Sequence, residues 1–198
     1  MAKDISIVLA GVGGQGTLIA GKLLGILAMK LGLDIKVSEV HGMSQRGGSV
    51  ITYVRMGEKV YSPIIEEGMA DYVLAFEEVE AVRWANLLKK DGILLVNSQK
   101  IKSLPVLLGN AEYPENIKDA LDASASGNAK IVEFDALSAA LSCGSSKAVN
   151  MVMVGALSAG MDFPKELWEE AINEAFASKA KLIPMNVEAF NKGRDFVS

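Results

Sequence analysis

Two short stretches hold most of the groups in this sequence that could do chemistry. Gly11-Val12-Gly13-Gly14-Gln15-Gly16 fits G-x-G-x-x-G. Between a strand and a helix, that spacing turns backbone N–H groups and a helix N-terminus toward a phosphate. The same glycines would equally serve a tight turn with close helix–sheet packing, so nucleotide binding and plain packing both stay open. The second stretch, Glu39-Val40-His41-Gly42-Met43-Ser44-Gln45-Arg46-Gly47-Gly48, gathers a carboxylate, the one histidine of the chain, a hydroxyl, an amide, a guanidinium and three glycines. Arg46 suits a carboxylate or phosphate, and Gly47 and Gly48 let a backbone approach closely. The competing interpretation is a surface loop whose arginine pairs with an acidic neighbour. Glu39 falls a little over twenty residues past Gly16, about where a dinucleotide-binding unit places its ribose-binding carboxylate.

Four further residues are weaker candidates. Glu77 and Asn97 follow apolar runs and would open onto one crevice if their strands are parallel; a helix first turn and a cap or turn are their structural alternatives. Asn150 sits in an otherwise apolar helical run and is expected to be a satisfied core amide. Cys143 precedes Gly144-Ser145-Ser146, a loop and cap, and is expected to be a bystander thiol because no second histidine exists to activate it.

These groups need a frame. Ile5 to Ala10 is a β-branched-rich run, Thr17 to Leu31 is apolar on almost every face, and Asp34 to Val40 is β-prone again. That order is a βαβ unit with parallel pairing expected. Ser49 to Arg55 and Lys59 to Tyr61 flank a turn-like Met56-Gly57-Glu58, which predicts a hairpin inserted in the sheet or at its edge. Tyr72 to Phe76 predicts a buried strand, Glu77 to Lys90 an amphipathic helix ended by Asp91-Gly92, and Ile93 to Val96 a further strand. A loop-rich stretch runs around Pro105 to Asn128, before a strand at Lys130 to Phe134. Helices are expected over Ala136 to Leu141, Lys147 to Ala159 and Lys165 to Phe176, the last with Asp162 upstream as a cap and Pro164 in its first turn, followed by a less regular tail. The alternation predicts a three-layer α/β/α, Rossmann-like domain spanning 1–198, with a mainly parallel, doubly wound sheet.

Composition narrows the function. With 198 residues, half of them apolar, and a net charge of -4 without basic runs, the chain is expected to fold as one domain and to bind no nucleic acid. One cysteine and one histidine exclude an internal disulfide, a four-thiolate iron–sulfur cluster and a His-rich metal site. No signal peptide or membrane span is legible, so a cytoplasmic chain is expected.

The stretches IVLAGVGGQGTLIAGKLL, EVHGMSQRGGSV, ADYVLAFEEVEAVRW and NMVMVGALSAG resemble the gamma-type domain of 2-oxoacid:ferredoxin oxidoreductases across essentially the whole chain. The EVHGMSQRGG form of the loop is similar to the small beta subunit of the indolepyruvate branch. The resemblance implies that an arylpyruvate is oxidatively decarboxylated with coenzyme A as cosubstrate while ferredoxin is reduced. It also implies that thiamine diphosphate and the iron–sulfur clusters sit in a large alpha subunit, with no cofactor firmly bound here. Carried over residue by residue are Gly11, Gly13, Gly14, Gln15 and Gly16, and the loop His41, Gly42, Met43, Ser44, Gln45, Arg46, Gly47 and Gly48, as a crevice facing the partner or a cofactor. An apolar face meant for a large partner also invites a homodimer in isolation. Two alternatives stay open: a stand-alone nicotinamide- or flavin-binding Rossmann oxidoreductase, and a purely structural assembly subunit.

Overall fold

The structure, a computed structural model, describes residues 4–42, 47–125 and 129–197. Met43, Ser44, Gln45 and Arg46 lie outside the described residues. The strands are β1 (Ile5–Val12), β2 (Asp34–His41), β3 (Ser49–Gly57), β4 (Ala70–Ala75), β5 (Leu88–Asn97) and β6 (Lys130–Phe134). The helices are α1 (Thr17–Lys30), α2 (Glu78–Trp84), α3 (Leu104–Leu107), α4 (Ile117–Ser124), α5 (Ala136–Ser142), α6 (Val149–Ala159), α7 (Lys165–Ala175) and α8 (Ile183–Asp195).

One six-stranded sheet runs in the order β2-β3-β1-β4-β5-β6. β1, β4, β5 and β6 are mutually parallel, while β3 is antiparallel to both β1 and β2. The near-continuous apolar runs of β1, β4 and β5 follow from this position, because interior strands of a parallel sheet are buried on both faces. On one face Ile7, Leu9, Leu74 and Leu95 pack against Leu23, Leu24 and Leu27 of α1 and Val152 and Leu157 of α6, with α5, α7 and α8 completing the layer. On the other, Val8, Val73, Leu94 and Val96 meet Ala81 of α2 and Ile117 and Leu121 of α4. The three layers expected from the strand–helix alternation are present.

Several expected boundaries differ, each for a physical reason. β2 runs parallel to β1 but does not pair with it, because β3 lies between them. The hairpin is therefore β2 with β3, joined through the 42–48 connection, rather than two arms around Met56-Gly57-Glu58; Met56 and Gly57 finish β3, and Lys59 to Tyr61 form no strand. The helix expected to reach Lys90 stops at Trp84, and Asp91-Gly92 lies inside β5, where the register against β4 shifts and Asp91 takes φ 60°. The stretch expected to be loop holds α4, whose Ile117 and Leu121 fill the smaller core. The expected irregular tail is α8, a thirteen-residue helix. It approaches α6 so closely that a Cβ on Gly155 would stand 2.0 Å from the Phe190 carbonyl oxygen and one on Gly193 1.9 Å from that of Val152. Pro164 itself takes the cap position of α7, and Asp162 provides no cap.

Candidate functional site

All the parallel strands, and β2 with them, end on the same side of the sheet, so the two chemistry-bearing stretches meet there. The glycine turn leaves β1 and enters α1 with Gly14 at φ 108° and Gly16 at φ 86°, conformations that favour glycine. It is bonded to the returning hairpin: the Gly13 N–H donates to the Gly48 carbonyl at 2.9 Å and the Gly47 N–H to the Gly13 carbonyl at 3.4 Å. Gln15 folds back over the turn. Its Oε1 accepts from the Val12 N–H at 2.8 Å and its Nε2 donates to the Phe76 carbonyl at 2.7 Å. The Phe76 carbonyl also accepts from Asn97 Nδ2 at 3.0 Å. The ends of β1, β4 and β5 are thus clamped by two side-chain amides sharing one acceptor.

Three cavities surround this clamp. One, of about 380 Å³, lies between Gly13, Gly14, Ile19, Glu39 and His41. A second, of about 320 Å³, lies between Gly14, Gln15, Gln99, Lys147 and Asn150. The largest, of about 680 Å³, is bounded by Val12, Gly48, Glu77, Arg83, Ile101 and Tyr113. Glu39 and His41 are exposed at the end of β2; Glu39 accepts from Thr52 Oγ1 at 3.3 Å, and His41 Nδ1 lies 3.0 Å from the Gly42 carbonyl oxygen. Because β3 intervenes, Glu39 stands two strand spacings from β1, roughly 10 Å, where a ribose-binding carboxylate would be on the adjacent strand.

Glu77 and Asn97 are held by structural bonds. Glu77 is 1% exposed. Its Oε2 accepts from the Val79 and Glu80 N–H groups at 2.7 and 3.1 Å, capping α2, and its Oε1 accepts from the Ile101 N–H at 3.1 Å and the Tyr113 hydroxyl at 2.6 Å. Asn97 is fully buried and its Oδ1 accepts from the Ala136 N–H, the first of α5, at 3.1 Å, beside the Asp135 cap. Burial, and then the bond to Glu77, push the Tyr113 phenol far above its ordinary value. Burial raises the Glu78 carboxyl, with Lys100 at 3.6 Å acting the other way.

Asn150 departs from expectation. It is 2% exposed, and its Oδ1 is buried without a hydrogen-bond partner. Its Nδ2 lies 2.7 Å from where a Cβ on Gly16 would stand, so the third glycine is required by this side chain as well as by the turn. The half-buried Cys143 stands at the end of α5, its thiol 3.3 Å from the Ala139 carbonyl. Sequence reasoning missed Glu80, which is 4% exposed and accepts from Ser49 Oγ at 2.5 Å, Trp84 Nε1 at 3.1 Å and Arg83 Nε at 3.3 Å. It ties the start of β3 to α2. The available signal was the hydroxyl of Ser49 directly after the paired glycines. Among the described residues no three of His, Cys, Asp and Glu gather where they could hold a metal ion, and no helix is long and apolar enough to cross a membrane.

The combination of a clamped glycine turn, an antiparallel strand set into a parallel sheet, and a hairpin joined to that turn defines a class. The chain belongs to the pyruvate ferredoxin/flavodoxin oxidoreductase family, whose sequence profile matches residues 6–196. Within it, the chain is 44% identical over 195 residues to indolepyruvate oxidoreductase subunit IorB of Thermococcus kodakarensis, covering 96% of this chain and 95% of that one. The fold is shared with the gamma subunit of a keto/oxoacid ferredoxin oxidoreductase from Geobacter sulfurreducens, with TM-score 0.71, 23% identity and 98% of both chains covered. It also occurs in the 2-oxoglutarate:ferredoxin oxidoreductase of Magnetococcus marinus, solved with 2-oxoglutarate, coenzyme A and succinyl-CoA bound. There the TM-score is 0.76 at 21% identity, covering 98% of this chain and 31% of that one.

Proposed function

We propose that this chain is the small, cluster-free subunit of an indolepyruvate-type 2-oxoacid ferredoxin oxidoreductase. A large alpha subunit supplies thiamine diphosphate and iron–sulfur clusters, an arylpyruvate is decarboxylated to an aryl-acetyl-CoA, and ferredoxin takes the electrons. The observation that carries this reading is the 44% identity along nearly the full length of both chains to an indolepyruvate oxidoreductase subunit. A single cysteine leaves the chain unable to ligate a four-thiolate cluster, which fits a division of labour with a partner.

The crevice at the carboxyl end of the sheet, between the glycine turn and the Glu39–His41 end of β2, faces the partner near the chamber where thiamine and coenzyme A meet. Lys147 and Asn150 line the neighbouring cavity against Gly14 and Gln15, so the glycine turn is open to a partner group on both of its sides. Against a stand-alone nicotinamide enzyme stand the Gln15 side chain folded across the turn and the strand that separates Glu39 from β1.

The test is anaerobic co-expression with the large subunit, followed by an assay of coenzyme A-dependent viologen reduction by indolepyruvate, phenylpyruvate, pyruvate and 2-oxoglutarate. Co-elution and turnover of an arylpyruvate are expected. A solitary protein bearing a nicotinamide or flavin overturns the reading. Arg46→Ala is expected to lower turnover or assembly; wild-type values for both would remove the loop from the site, and lost turnover with intact assembly would exclude a purely structural subunit.

A further inference from the structure

The connection between β5 and α4 carries a feature that the reaction does not require. α3 is a single four-residue turn, Leu104-Pro105-Val106-Leu107, and none of its residues is buried. Leu104, Leu107 and Leu108 are 66%, 66% and 65% exposed. A lone turn of helix is not stable in water without packing to support it, yet this one turns its apolar side chains outward. It is held at its flanks: the Ile101 N–H and the Tyr113 hydroxyl both bond the buried Glu77 carboxylate. The rigid sheet end thus holds out three leucines that its own core does not use. Leu104 and Leu107 themselves border a cavity of about 680 Å³, with Val12, Val79, Ile101, Val106 and Pro114 among its other walls, while Leu108 lies outside it.

We infer that Leu104, Leu107 and Leu108 form the apolar anchor by which this chain docks on its large partner subunit. The inference builds on the subunit reading above and specifies where contact is made. Size favours a large partner over a second copy. The three side chains expose a few hundred Å², the scale at which surface patches become functional, whereas each side of a stable complex buries roughly 800 Å². The leucines therefore suit the centre of a broader contact, and a two-fold pairing through them alone would fall short. Position gives the same direction, since Leu104 and Leu107 border the cavity that Gly48 and Glu77 also line, so a partner seated on them covers that cavity beside the entry of β3. The same fold makes up 31% of a longer chain in the 2-oxoglutarate enzyme, where the companion segments are covalently attached. A separate chain needs an adhesive surface in place of that linkage.

The test uses the full chain and the co-expressed large subunit. Leu104→Asp, Leu107→Asp and Leu108→Asp are combined in one variant, and Ile64→Asp with Met69→Asp, exposed residues between β3 and β4, serve as the control. The leucine variant should melt with the wild type, because the residues it changes are exposed, and its affinity for the large subunit should fall at least 100-fold while the control binds normally. In a Cys143→Ser background, Leu107→Cys should react with a maleimide in the free chain and be protected in the complex. Undiminished binding of the leucine variant, or equal maleimide reactivity free and bound, overturns the inference and leaves the subunit reading intact. If the wild-type chain itself fails to bind the large subunit, the subunit reading falls and the anchor with it.

Discussion

Replacing Glu77 by glutamine keeps the shape of the side chain but removes one acceptor from a point where four donors converge. In the native protein two backbone N–H groups of α2 bond one oxygen, and the Ile101 N–H and Tyr113 hydroxyl bond the other. The amide keeps a single oxygen, which is best placed on the helix cap, so its NH₂ turns toward Ile101 and Tyr113. The phenol can rotate and accept, but the Ile101 N–H cannot and is left facing another donor. Hydrogen bonds to a charged group contribute about 1.5–3 kcal/mol, and a stranded buried donor adds its desolvation, so Glu77→Gln should cost about 3 kcal/mol. Glu77→Ala, which abandons all four donors and the cap, should cost about 5 kcal/mol, at the upper end for single substitutions. Urea unfolding followed by circular dichroism measures both. Faster amide exchange at Ile101 should accompany them, and a double-mutant cycle with Tyr113→Phe should return a coupling of about 1–2 kcal/mol. A cost for Glu77→Gln within about 0.5 kcal/mol, the range of an ordinary surface change, would refute the argument that one carboxylate ties the α3 segment to the sheet.

Three further outcomes are expected. Because the folded-state Tyr113 phenol is held well above the ordinary 10.0, the unfolded chain loses that proton first. The contribution is fully present below about pH 10 and is lost as pH rises beyond it, so the urea midpoint should fall through that range, less steeply in Tyr113→Phe. Gly193→Ala places a methyl 1.9 Å from the Val152 oxygen, so α6 and α8 must separate at about 3 kcal/mol or more, read as a large fall in melting temperature. Gly25→Ala, which meets nothing within 4 Å, should instead stabilise by about 0.5–1 kcal/mol.

The layers and most strands were legible because interior strands announce themselves as apolar runs: β1, β4 and β6 fall within a residue or two of expectation. Neighbours in the sheet were not. Nothing local in Asp34 to His41 says that β3, rather than β1, will be its partner, since that choice depends on how the 42–48 connection returns. α4 was missed because its apolar signal is only Ile117 and Leu121 on a polar background. In the site, the sequence brought together the glycine turn and the 39–48 loop. A helix first turn for Glu77 and a turn or cap for Asn97 were foreseen only as alternatives; Glu77 stands one place earlier, as the cap of α2. Glu80 escaped because a helix read as running to Lys90 offers no reason to bury a carboxylate at its fourth residue. The unmatched Asn150 oxygen is a tertiary fact with no local trace.

The two bonds between Gly13 and the Gly47–Gly48 strand entry hold one end of a long ladder. Eight residue pairs fix β2 against β3, and eight fix β3 against β1, so a one-residue slip anywhere in that ladder would turn every side chain to the wrong face. Just before that ladder begins, the chain is stapled to the glycine turn at Gly47 and Gly48. Those bonds run between backbone groups, so the return of the chain is pinned without calling on any side chain at residues 47 and 48.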